Sequence, residues 1–459
     1  MSLVSYRKDI GPIALPIFLG MLVFQVQTII NRAFLGRLDV ANLAVISNVV
    51  FPMWTTVAML NSLTTGATIL MSQRLGAGDR EGGRRIAASA LKWGSGFSLV
   101  LFAFWFFFCG IVFRLMGVSD AILESCVAYT RIAAFSFLAT GLSSAMTAIF
   151  QASGRTRPMM YSGALRSGLN VLLDWLLIFG NLGIPKLGLR GAALASVLSD
   201  MAGLALLAVL LIGERTLELR PSWNEVLDSR LRSYGPIVKM GVPTSLEDLL
   251  WNVGNLFLIG FLNALDPLAT AVYSLVFTIE ILPIVIFMAL GQTTTVLSGR
   301  AKGAGDLPRA WQAAAKAQAA AWGASLAIAG IFLALPRSIV GLFSTDPSLI
   351  ARTAPILFVS CFTFFPRSVN FIAGSGIRGL GDTRWMLFTQ IGGTIFIVSL
   401  GRILIFAPGL GVIGLFIAMC ADESLRAGIN ALRFLSKLRR ERGARAAQPA
   451  CVETGLATE

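Results

Sequence analysis

Long apolar runs separated by short polar segments set the pattern of this chain. Twelve of them lie near residues 11–35, 43–72, 88–113, 127–150, 160–182, 188–212, 237–262, 269–298, 314–336, 350–375, 386–407 and 411–434. A helix of about 20 apolar residues matches the hydrocarbon thickness of a bilayer. Alternation of polar and apolar residues is absent, and lipid admits only helices or closed barrels as spanning structures. The pattern therefore predicts an all-α, polytopic membrane protein with twelve transmembrane helices.

Shifted by 227 residues, the chain falls on itself. Pro16 lands on Pro243, Leu38-Asp39 on Leu265-Asp266, and Ala44-Val45 on Ala271-Val272. Gly76-Ala77-Gly78-Asp79 meets Gly303-Ala304-Gly305-Asp306, and Gly154, Thr156, Arg157 and Met159 meet Gly381, Thr383, Arg384 and Met386. Near the end of each copy the offset becomes 223, where Gly188, Gly191 and Ala195 meet Gly411, Gly414 and Ala418. Two homologous six-helix bundles follow. The expected units are a first lobe over 1–213, a linker over 214–235, a second lobe over 236–436 and a disordered tail over 437–459. An even number of spans per copy keeps both copies in one orientation, so the lobes should superpose about the membrane normal. Duplicated bundles of this kind place a substrate site at the repeat interface and rock one half against the other.

Composition agrees with lipid as the solvent: 55% of residues are apolar and 14% charged, where a soluble domain carries roughly 25% charged residues. The formal net charge of +14 sits in short loops and not on an aromatic-rich face, so it reads as topology and excludes nucleic-acid binding. One set of loops carries Arg74, Arg80, Arg84 and Arg85, then Arg155 and Arg157, the stretch Arg215 to Arg232, and Arg433 to Arg445. The other set has little beyond Arg37, Arg114, Lys186, Arg190 and Arg337. The positive-inside rule then places both termini in the cytoplasm of a bacterial inner membrane. Cys109, Cys126, Cys361, Cys420 and Cys451 show no paired spacing and read as small packing residues. Histidine is absent, which removes the usual zinc ligand, and neither a metal site nor a cofactor is expected. No catalytic array is visible, so enzyme chemistry is not expected either.

Polar groups at membrane depth are costly and are candidates for function. Asn170 and Asp174 stand four apart on one face of span 5, and a buried carboxylate beside an amide suits a proton or a cation. Structural pairing of Asp174 with Arg166 or Arg131 is the alternative. Gln27 and Asn31 form a polar stripe in span 1, either as part of that site or as interhelical glue. In span 7, Glu247, Trp251 and Asn255 share a stripe, with Asp248 and Asn252 beside them. Together with Glu280 of span 8 they are candidates for a substrate cavity. Pro16 and Pro243, each within the first two turns of a span, begin straight helices or hinge them. The Gly-Ala-Gly-Asp loops lack the Gly-Lys-Ser/Thr ending of a phosphate loop and read as tight turns.

Four segments make the chain resemble the multidrug and toxic compound extrusion family, closest to its bacterial DinF-like type. They are Asn31 to Gly36, Arg74 to Asp79, the run Asn170 to Asp174 with Gly191 to Ala195, and Arg378 to Thr383. The resemblance implies two six-helix lobes forming a V, a central cavity for a small organic, cationic substrate, and monomeric export driven by proton or sodium entry. It departs from the family where Asn31 replaces a span 1 aspartate and Arg367 a span 10 aspartate. A span 7 glutamate of one subfamily falls near Trp251, with Glu247 one turn away. A lone carboxylate in the first lobe favours a proton over sodium, which prefers several oxygen ligands. A flippase for lipid-linked precursors and a major-facilitator transporter are the rival readings.

Overall fold

The computed structural model describes residues 4–36, 40–408 and 410–446. Twelve helical rods follow one another, and their positions match the apolar runs. The first lobe holds α1 (Gly11–Leu35), α2 (Val40–Gly76), α3 (Arg80–Leu115), α4 (Asp120–Ala152), α5 (Arg157–Phe179) and α6 (Gly188–Gly213). The second holds α7 (Gly235–Leu265), α8 (Pro267–Ile279 and Ile281–Ala304), α9 (Leu307–Ala334), α10 (Pro347–Gly379), α11 (Thr383–Phe406) and α12 (Gly411–Ala446). Rod α4 breaks at Ala134 and α8 at Glu280, and neither break is at a proline. Helix α12 runs ten residues into the stretch expected as a tail; residues 447–459, with Cys451, lie outside the described residues. So do Leu38-Asp39 of the repeat.

Ten of these helices are long and apolar enough to cross a membrane by composition alone. The other two, α5 and α12, have the length but not the apolarity. They carry Asn170 and Asp174, and Asp422, Glu423 and Arg426. Helices that spend apolarity on buried polar faces are where function is expected.

Each lobe has its own core. Phe287, Phe364 and Phe416 centre the second, and Phe150, Leu207, Phe113 and Phe137 the first. The chain crosses over at its entry to each lobe. Val4 and Ile10, ahead of α1, pack into the second core, whereas Leu217, Leu219 and Tyr234, ahead of α7, pack into the first. Across the interface α2 touches α7 and α8, and α1 touches α8. These pairs exchange under the 227 shift, as a rotation relating the two lobes requires. Where α2 and α8 cross, a Cβ on Gly76 would stand 2.0 Å from the Arg300 carbonyl oxygen. One on Gly303, its equivalent, would stand 1.9 Å from the Gln73 carbonyl oxygen. Only glycine permits this approach at either position.

Pro16 and Pro243 are buried inside unbroken helices. Pro16 cannot donate to the Pro12 carbonyl four residues back. The Thr156 hydroxyl donates to that oxygen at 3.0 Å instead. In the second lobe the equivalent Thr383 hydroxyl points to the Met240 sulfur at 4.0 Å. The Gly-Ala-Gly-Asp loops are tight turns ending in helix caps. Gly78 and Gly305 have φ of 75° and 69°, and the side chains of Asp79 and Asp306 accept from Gly82 and Arg309 backbone N–H groups. The cap and Arg74 beside it hold the Asp79 carboxyl below the usual carboxylate range. Cys109, Cys126 and Cys361 are buried and all four described cysteines are unpaired.

Candidate functional site

Two polar sites lie inside the lobes. In the first, Asp174 (3% exposed) and Asn170 (1% exposed) face α1 from α5. Gln27 donates to Asn170 Oδ1, and the Asn31 side-chain amide lies 2.8 Å from the same oxygen. With its nitrogen turned to the acid, Asn31 donates to Asp174 Oδ2 at 3.0 Å. Asp174 Oδ1 is buried without a partner. Neither arginine weighed as its counter-ion reaches it: Arg166 pairs with Asp200 at 3.5 Å, and Arg131 donates to the Phe106 carbonyl. The result is an acid enclosed by amides, with no cation paired to it among the described residues. All four residues singled out in spans 1 and 5 come together.

The second lobe holds a cavity of about 300 Å³. Its charged lining is Glu247 and Asp248 from α7, Arg367 and Arg378 from α10, and Asp422, Glu423 and Arg426 from α12. Trp251, Asn255 and Phe277 line it as well, with the Trp251 and Phe277 rings 6.2 Å apart. Asn255 accepts from the Tyr273 hydroxyl at 2.7 Å. Most of the charges are consumed internally. Arg367 reaches Glu280 at 2.7 Å and Glu423 at 3.3 Å. Arg426 reaches Asp422 at 2.6 Å and donates to Gln390 at 2.7 Å. Arg378 pairs with Glu247. Asp248, exposed on the adjacent stripe of α7, has no ion-pair partner among the described residues. It stands one turn before Trp251, so a carboxylate and an aromatic face share one end of the cavity.

One expectation changes here and another is refined. Glu280 is outside the cavity lining, 1% exposed and held behind Arg367. Glu247 lines the cavity, but its charge is met by Arg378 and is not free for a ligand. Sequence reasoning missed Arg378, Asp422, Glu423 and Arg426. The i, i+3 and i, i+4 spacing of the last three inside an apolar run was the available signal.

Two duplicated bundles, interior polar sites at membrane depth and a cavity in the second lobe define a polytopic transporter. The sequence profile described as MatE matches residues 16–176 and 243–403, two blocks separated by the same 227 residues. The chain therefore belongs to this family, the multidrug and toxic compound extrusion transporters. Relatives include a probable multidrug resistance protein NorM of Thermotoga maritima, 25% identical over 94% of this chain and 92% of that protein. The multidrug resistance protein PmpM of Pseudomonas aeruginosa is 28% identical over 82% of this chain and 79% of its own. An outward-facing multidrug resistance MATE transporter of the MOP superfamily superposes with a TM-score of 0.86 at 22% identity, over 96% of this chain and 97% of that one.

Proposed function

We propose that this chain exports amphipathic organic compounds carrying one positive charge, in exchange for protons, by alternating access of the two lobes. The observation that carries the coupling half is Asp174: a buried carboxylate with one oxygen unpartnered, no ion-pair partner among the described residues and amides around it. A proton needs one such oxygen, whereas sodium needs several free oxygens in a shell. Asn170 Oδ1 already faces two amide groups, which leaves few. The substrate half rests on the second-lobe cavity, where Glu247, Asp422 and Glu423 each meet an arginine and Asp248 meets none among the described residues. Trp251 and Phe277 beside it suit a flat apolar body with a cationic group. The names of NorM and PmpM as multidrug resistance proteins support the same reading.

The close crossing of α2 and α8 belongs to a state closed at the end bearing the termini, which the loop charges assign to the cytoplasm. Asp174→Asn tests the coupling. In an efflux-deficient bacterial host it abolishes extrusion of a cationic dye such as ethidium, while the amount of folded protein in the membrane stays the same. Dye extrusion equal to wild type would remove Asp174 from the mechanism. A lipid-precursor defect on deletion, with dye resistance unaffected, would favour the flippase.

A further inference from the structure

The lobes tie each other down at the end where α2 and α8 cross. Gln73 of α2 donates through Nε2 to the Gly379 carbonyl at the end of α10, at 2.8 Å. Arg300 of α8 donates through Nε and Nη2 to the Ala152 carbonyl at the end of α4, at 3.1 and 2.6 Å. Residue 300 is 73 shifted by 227, and 379 is 152 shifted by 227. Both bonds are therefore the same bond made twice, each second helix of a lobe reaching across to the last turn of the other lobe's fourth. Carbonyls in a last helical turn have no donor within their own helix, so an outside donor satisfies them at no internal cost. A cation there also meets the negative end of the helix dipole. Arg300 has no ion pair among the described residues, and two nitrogens of its guanidinium meet this one carbonyl. Around the clasp the backbones of Gly76 and Gly303 interlock, so opening this end requires both bonds to break together.

We infer that Gln73 and Arg300 form a two-part clasp that sets how long the transporter stays closed at this end, with Arg300 as the stronger half. This rests on the alternating-access reading above. Neither residue lines the second-lobe cavity, so their effect on a substrate held there runs through the equilibrium between states; Arg300 also borders a polar cavity of about 450 Å³ at the closed end.

Hydrogen exchange of the full-length protein in lipid nanodiscs tests it. A charge-assisted bond contributes enough that its loss should speed exchange at residues 66–78 and 292–305 by about tenfold. Arg300→Ala should do this in both lobes at once, Gln73→Ala by less, and Arg300→Lys should largely restore protection. Arg80→Ala, which removes a surface pair with Glu218 on the same face, should leave both segments unchanged. A folded Gln73→Ala/Arg300→Ala double variant with wild-type protection in both segments would overturn the clasp. Wild-type protein whose two segments ignore saturating ethidium and pH alike, while the double variant exchanges faster, would leave the clasp as a static brace and overturn its role in a transport cycle.

Discussion

Glu247 and Asp248 are neighbours on α7 in opposite circumstances. Glu247 neutralises Arg378, and Asp248 faces the cavity unpaired. Asp248→Asn should therefore raise the half-saturating concentration of a monocationic dye by about tenfold or more, the loss of one charge-assisted contact. Melting behaviour should barely change. Glu247→Gln should do the reverse. It leaves a largely buried guanidinium without its counter-ion and should lower stability by about 2 kcal/mol, with a smaller effect on dye affinity. Dye titration and thermal melts of the two variants separate these outcomes; an Asp248→Asn protein with unaltered affinity would move the cation site elsewhere. Asp174 and Asn170 were legible in the sequence because a carboxylate and an amide four apart inside an apolar run can only share a buried face. The second-lobe network was not, because its members converge from α7, α8, α10 and α12, and no single helix shows which charge meets which. The reading of Glu280 as a cavity residue failed for that reason: its partner Arg367 is 87 residues away.

At the scale of the element, the helix positions were legible nearly throughout, since each run had to span lipid and end at polar loops. What periodicity does not show is how an interrupted helix is repaired. Pro16 leaves the Pro12 carbonyl without its usual donor, and Thr156, from a different helix, supplies one. Thr156→Val should cost about 1 kcal/mol of stability, the worth of one buried hydrogen bond, while preserving shape. The equivalent Thr383→Val should cost less, because its partner is a weakly accepting methionine sulfur at 4.0 Å. Melting midpoints of the two variants check the order; a larger loss at Thr383 would contradict it. The repair is seen in the first lobe; in the second, Thr383 meets the Met240 sulfur and not the Lys239 carbonyl that Pro243 leaves open. The contacts run across α1 and α5 in one lobe, and across α7 and α11 in the other. The loops with Gly78 and Gly305 were readable as turns, but the capping of α3 and α9 by their aspartates needed coordinates.

For the whole molecule, the 227-residue offset already implied two lobes in one orientation, and the exchange of α1–α8 with α2–α7 contacts follows it. The crossed entry segments and the doubled clasp were beyond the sequence, because repetition says that two surfaces are alike and not that they grip each other. Symmetry also makes the asymmetries informative. The first lobe holds an enclosed acid, Asp174, with no ion-pair partner among the described residues, and the second has a cavity of paired charges in which Asp248 is unpaired. On the proposed function, that division puts coupling in one lobe and recognition in the other. Purified protein in sealed vesicles, with proton and sodium gradients imposed separately, tests this most directly. A proton gradient alone should drive ethidium against its concentration gradient, a sodium gradient alone should not, and Asp174→Asn should abolish the response to protons while still binding the dye. Transport that follows sodium and ignores protons, or an Asp174→Asn protein that still responds to a proton gradient, would contradict the account.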